Sequence, residues 1–169
     1  GVFHTEKRSI LLIIYPDGVF LYIFCRGGIM PKTKLALTIP AALLFITQSV
    51  FAETHVVTAI GMKFEPMVVK IAPGDTVRWE NMPTHNVETI EGLVPEGTEK
   101  IMSPMGENYQ HTFDKEGIYV YICTPHIGSG MGGAVIVGEP TNLDDIKASD
   151  ASGGLGRVVR KAIQEAEAM

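Results

Sequence analysis

The chain has 169 residues, 46% of them hydrophobic, and a net charge of −5, which is enough for one domain of ordinary size. Much of the apolar content precedes residue 52. Without that stretch nine basic residues face 17 acidic ones, a net charge of −8, and nothing suggests nucleic-acid binding, which normally shows a basic face.

The first 29 residues hold an apolar stretch over 10–24, interrupted by the turn residues Pro16-Asp17-Gly18. Arg26-Gly27-Gly28-Ile29-Met30 can be encoded by a purine-rich stretch like a ribosome-binding site ahead of a start codon. Residues 1–29 are therefore expected to be upstream sequence read in frame, or an extra leader, with Met30 as the true start. From Met30 the order is a short basic start with Lys32 and Lys34, an apolar run over 35–50, and the small-residue ending Val50-Phe51-Ala52. That order describes a secretory signal peptide over 30–52, removed after Ala52. The run is too short, and too rich in Pro, Thr and Gln, for the ~20 apolar residues of a membrane span. The mature chain is thus expected in the periplasm and not spanning the membrane.

The next segments are β in pattern. Residues 54–60, 67–71, 76–80, 108–113, 117–123 and 133–137 are rich in β-branched and aromatic residues. In Thr76-Val-Arg-Trp-Glu80 strict alternation puts Val77 and Trp79 on one buried face. Pro73-Gly74-Asp75 is a turn. Short strands at this spacing, with no helices between them, predict an antiparallel sandwich over 53–140. The tail, 141–169, changes period. Asn142 is placed to cap a first helix. Leu155, Val158, Val159, Ala162, Ile163 and Ala166 recur at helical spacing after the break Ser152-Gly-Gly154. The fold expected is mainly β: a β-sandwich with two short C-terminal helices packed on its outside, all one domain.

Of two cysteines, Cys25 lies before the mature chain and Cys123 within it. A lone thiol in an exported protein cannot form an internal disulfide and calls for another use. Cys123-Thr-Pro-His126-Ile-Gly-Ser-Gly-Met131 supplies one. It gathers a thiolate, an imidazole and a thioether between two strands. Two imidazoles and a thiolate in a plane, with a weak axial Met, make a type 1 copper site. The loop lacks the second imidazole, and His85 in Pro83-Thr-His85-Asn86 is the best candidate because it occupies a turn entering another strand. Loops at one end of a sandwich converge. Singly, a buried Cys is a small core residue, a Met fills a gap, and a turn His is idle; together they are hard to assign to chance. Zinc is the chemical rival, but a thioether is a poor fourth zinc ligand. His55 and His111 fall in strand patterns and read as surface or edge residues.

On these residues the mature chain resembles the cupredoxins, specifically the pseudoazurins. Phe64-Glu-Pro66, Ala72-Pro-Gly-Asp-Thr-Val77, His85-Asn-Val-Glu-Thr-Ile90, Glu107-Asn-Tyr109 and Cys123-Thr-Pro-His126 carry the resemblance, with the two C-terminal helices. It implies a Greek-key sandwich and one type 1 copper ion held by His85, Cys123, His126 and Met131. It also implies periplasmic electron transfer by a monomer, from a cytochrome donor to a nitrite reductase. Asn86 would tie the His85 and Cys123 loops together. Pro125, lacking an N–H, would leave the sulfur with fewer hydrogen bonds. His126 would be the ligand nearest solvent. The chain departs from the family at Pro83-Thr84, where a Lys-Gly pair is common, at Ile127, where an aromatic is common, and at Ser129, where a Met is common. Enzymes with several coppers need His-x-His pairs, and binuclear copper-A needs two cysteines; the mature sequence has neither. A copper store or chaperone is the alternative from another class.

Overall fold

The computed structural model describes the backbone of β1 (Ile10–Ile14) and β2 (Phe20–Phe24), and then residues 51–169. β1 and β2 pair antiparallel, Ile10 opposite Phe24, within a unit of their own. The Pro16-Asp17-Gly18 turn and residues 30–50 of the expected leader lie outside the described residues. Among the described residues, no helix is long and apolar enough to cross a membrane.

The second unit is built from eight strands: β3 (Thr54–Ile60), β4 (Lys63–Glu65), β5 (Val68–Ile71), β6 (Asp75–Glu80), β7 (Glu88–Thr89), β8 (Tyr109–Phe113), β9 (Gly117–Ile122) and β10 (Gly132–Val137). A 3-10 turn, Thr124–Ser129, joins the last two, and α1 (Leu143–Ala148) and α2 (Gly153–Glu167) follow. One sheet has the order β4-β3-β6-β8 and the other β5-β10-β9-β7. The sandwich and both helices are as the sequence predicts. The pairing is mixed where antiparallel strands were expected, since β3 runs parallel to β6 and β5 parallel to β10. The cause is topological. Between β3 and β6 the chain turns into β4, crosses to the other sheet as β5 and crosses back, so β6 returns beside β3 in the same direction.

Side-chain alternation explains the two cores. In β6 the pattern follows the pleat: Asp75, Val77 and Trp79 are buried and Arg78 is exposed, because the outer face of that sheet meets solvent. In β10 all six residues are buried. Val135 and Val137 enter the core between the sheets with Trp79, Phe64, Phe113, Tyr119, Tyr121 and Cys123. Ala134 and Ile136, with Ile118 and Val120 of β9, face Ile146, Val158, Val159, Ala162 and Ala166 of the two helices. The helices thus bury a second face that would otherwise expose branched apolar residues, each worth about 1.5–3 kcal/mol when fully removed from water.

Asn142 occupies the position before α1, yet its side chain makes no cap hydrogen bond. The amide clips onto β9 instead, accepting from Ile118 N (2.7 Å) and donating to Ile118 O (2.9 Å). A buried strand edge competes successfully for the same group.

Gly133 sits opposite Tyr121 across the β9–β10 ladder. A Cβ there would lie 2.4 Å from Tyr121 Oη and 2.7 Å from Met67 O. The phenol ring lies over the glycine and fills its place. Gly133→Val should therefore cost about 1–3 kcal/mol, the usual penalty of overpacking, read as a lower urea midpoint at constant slope.

Candidate metal centre

The site forms at the end of the sandwich where β6 runs into β7 and β9 into β10. After β6 the chain turns at Met82, whose carbonyl accepts from His85 N (3.1 Å). Gly106 N then donates to His85 O (3.0 Å), fixing the segment from the β7–β8 connection as well. After β9, Cys123 opens the 3-10 turn, with Pro125 at its start and Gly130 closing it at φ 74°. Pro suits a helical start because it has no N–H to lose. Glycine suits the left-handed close.

Four backbone bonds brace the loop. His126 N donates to Cys123 O (3.0 Å), Gly130 N to Ile127 O (2.8 Å), Met131 N to His126 O (3.2 Å) and Cys123 N to Met131 O (3.0 Å). The loop therefore returns on itself, and Met131 is joined by main-chain bonds to both Cys123 and His126.

Three donor atoms converge. His85 Nδ1 and His126 Nδ1 are 3.1 Å apart, and Cys123 Sγ lies 3.6 Å and 3.4 Å from them. Among the described residues these three form the one such cluster of His, Cys and carboxylate donors. Cys123 is fully buried and His85 nearly so, while His126 is half-buried. Met131 is fully buried in the same core cluster as Cys123.

The triangle fits a metal ion. Bonds of about 2.1 Å to nitrogen and about 2.3 Å to sulfur in a trigonal plane separate the donors by roughly 3.5–3.8 Å. The observed sides approach these values without any rearrangement of the loops. Burial pushes the His85 imidazole below its ordinary pKa, and the neighbouring His126 adds to this. The ring is thereby kept neutral, the form that binds metal.

The surroundings hold the two loops together. Asn86 Nδ2 donates to Thr124 Oγ1 (3.0 Å), and Thr124 N donates to Asn86 Oδ1 (2.8 Å). Thr124 Oγ1 in turn donates to Glu88 Oε2 (2.6 Å). Glu88 also meets Lys100 Nζ (2.5 Å). The Lys100 ammonium and the Thr124 hydroxyl hold its carboxyl below the usual range. Nothing in the sequence around Glu88 marks it for this place, although it lies in the segment His85-Asn-Val-Glu-Thr-Ile90. Pro83, Pro125 and Met105 are exposed around the centre and Ile127 is half-buried. Gly106 approaches Pro83 O closely enough that an added Cβ would lie 3.2 Å from it, which puts Met105 at this rim too.

His55 and His111 stand apart from the cluster. His55 Nε2 is 3.1 Å from Asp75 Oδ2 on β6. His111, on the edge strand β8, packs edge-on against Phe113; burial pushes its imidazole pKa down, against the opposing charge of Asp114.

Residues 52–138 match the family model of copper-binding proteins of the plastocyanin/azurin family. The chain is 43% identical over 117 residues to the pseudoazurin of Paracoccus pantotrophus, covering 63% of this chain and 79% of that protein. Its fold is similar to that of a Sinorhizobium pseudoazurin, with a TM-score of 0.63 at 36% identity, over 68% of this chain and 97% of the other. It is also similar to the pseudoazurin of Methylobacterium extorquens AM1, with a TM-score of 0.61 at 30% identity, over 66% and 98%. The cofactor is a single type 1 copper, and the chain is an electron carrier rather than an enzyme. On fold, donor cluster and likeness together, the chain belongs to the plastocyanin/azurin family of copper-binding proteins, on its pseudoazurin side.

Proposed function

We propose that the protein is a periplasmic one-electron carrier whose copper is held by His85, Cys123, His126 and Met131. The convergence of the two Nδ1 atoms and the Cys123 sulfur on one point carries this reading. When bound, the copper accepts and releases single electrons. The chain holds its donors still. Cys123 and His85 exclude water, the Asn86–Thr124–Glu88 chain locks two loops, and Met131 is fixed by its own backbone bonds. A site that cannot rearrange on gaining an electron gains and loses it with little reorganisation. His126 is the half-exposed donor, so its ring is where the centre reaches the surface. Pro125 removes one N–H from the neighbourhood of the sulfur, and the N–H of Thr124 is taken by Asn86.

The leader over 30–52 is proposed to be removed after Ala52. The small-residue ending Val50-Phe51-Ala52 after the apolar run supports this. The donor is proposed to be a cytochrome and the acceptor a nitrite reductase or similar respiratory protein, met by a monomer. Optical and paramagnetic-resonance spectra of the copper-loaded protein test the site. An intense thiolate-to-copper band with reversible redox cycling is expected. Metal loss on each cycle would favour a copper store instead.

Docking should rest on the apolar rim of Pro83, Met105, Pro125 and Ile127. Of the nine basic side chains in residues 53–169, six sit in ion pairs: Lys63, Lys70, Arg78, Lys100, Lys147 and Lys161. Little positive charge is left to steer an acidic partner. Steering decays with salt, since screening shortens to about 8 Å at physiological strength. The transfer rate to the native acceptor should stay nearly constant over a salt series in stopped-flow mixing. Ile127→Asp should slow it about tenfold, equivalent to about 1.4 kcal/mol of docking energy. A steep fall with salt in the unaltered protein would contradict this account.

A further inference from the structure

The first two turns of α2 lie on the loop that carries the proposed ligands. Gly154 stands so close to Gly130 that a Cβ on it would be 2.3 Å from Gly130 Cα and 3.0 Å from Gly130 N. The reverse holds as well, since a Cβ on Gly130 would be 2.8 Å from Gly154 Cα. One turn further, Arg157 Nη2 donates to Gly130 O at 3.0 Å. Beside it Val158 is buried, with its Cγ2 3.2 Å from where Gly132 would carry a Cβ. Gly130 and Gly132 flank Met131, and Gly130 closes the turn that carries His126.

Covering the outer face of β9 and β10 requires only the apolar residues of α2. It does not require a guanidinium on a loop carbonyl, nor two glycines face to face. Gly130 is buried, so its carbonyl needs a partner. Among the described hydrogen bonds, Arg157 supplies the one it accepts. A planar guanidinium gives a directed bond that an apolar side chain cannot replace.

We infer that Arg157, with the Gly130–Gly154 contact, is a clamp through which α2 sets the position of Met131 and His126. This makes Arg157 a positioning residue for the copper site. The inference rests on the ligand set proposed above. Groups that orient metal ligands cost about 10- to 100-fold in metal affinity when lost. The guanidinium charge also favours the site in its less positive, reduced state, so its removal lowers the reduction potential.

The test compares Arg157→Met, which keeps the stem and removes the donors, with Arg157→Lys and Gly154→Ala, all in the full protein. Copper release to a chelator should rise about tenfold in Arg157→Met. Its potential should fall, and the relative intensity of its two thiolate bands should change. Arg157→Lys should recover most of this, whereas Gly154→Ala should move the spectrum by pushing helix and loop apart. In the copper-free protein, the Gly130 and Met131 amides should exchange about tenfold faster in Arg157→Met, while Val120 and Val135 keep their protection. Unchanged spectrum, potential, release and loop exchange would overturn the inference. So would faster exchange spread equally to Val120 and Val135, which would mean a loss of general stability. If the unaltered protein is not blue, the ligand assignment fails, and the copper-free exchange still decides the clamp.

Discussion

Cys123→Ala is expected to yield a folded protein without the intense visible band. The colour of a type 1 site comes from charge passing between a thiolate and Cu(II), and residues 53–169 contain one thiol. No other sulfur there can become a thiolate. Met131 offers only a thioether, and the two imidazoles left 3.1 Å apart bind Cu(II) without such a transition. Affinity should fall by more than the about 10- to 100-fold that loss of an outer partner costs, because a strong ligand is gone. The fold should persist. The substitution keeps a small apolar group at a fully buried position, the loop bonds from Cys123 N and to Cys123 O are made by the backbone, and Asn86 still spans to Thr124. Circular dichroism should show the native β signature beside the lost absorption. A blue Cys123→Ala protein would end the assignment of this centre.

What could be read from the sequence depended on how local the physics is. The alternation in residues 76–80 fixes the inward face of β6, and Val77 and Trp79 are both buried there. β3 spans Thr54–Ile60, the run its β-branched residues mark out. β4 and β7, of three and two residues, carry too little pattern for their bounds to be read apart from the turns around them, although β7 is the strand that the His85 turn enters. The parallel pairs β3–β6 and β5–β10 were also out of reach, since the direction of a neighbour depends on where the chain goes in between. At the centre, the loop from Cys123 to Met131 announces its chemistry by residue type. Glu88, Arg157 and Gly154 do not. Their roles follow from partners 36, 27 and 24 residues away in the chain, and nothing in their own neighbourhood signals a contact. Asn142 shows the converse. A good local cap residue is diverted by Ile118, a strand residue 24 positions earlier.

Asp75→Ala should destabilise the protein by about 2–3 kcal/mol and remove part of its acid sensitivity. The carboxylate is nearly buried and gathers three donors. Glu53 N donates to Oδ1 (2.8 Å), and Ala72 N (2.9 Å) and His55 Nε2 (3.1 Å) converge on Oδ2. Losing it leaves these groups without their acceptor, which costs about 1–3 kcal/mol for a buried group and more where charge is involved. The Glu53 and Ala72 amides, with His55, hold the Asp75 carboxyl below its ordinary pKa, against the opposing effect of burial. The sign follows. The unfolded chain binds the proton near pH 3.9 and the folded chain only at lower pH. The stabilisation is therefore complete above about pH 4 and is lost as pH falls through the folded value. Asp75→Ala should flatten that acid limb in urea titrations between about pH 2 and 6. If the leader is cut after Ala52, the group on Asp75 Oδ1 becomes the α-ammonium of Glu53, and the bond becomes charge-assisted. Its partner raises the ammonium's folded pKa, so this increment is present below the unfolded value of about 8 and disappears as pH rises past the folded one. A chain beginning at Glu53 should thus exceed its N-acetylated form in stability at pH 6, and the gap should close at high alkaline pH. Equal stability of the two forms at pH 6 would show that the new terminus does not use Asp75.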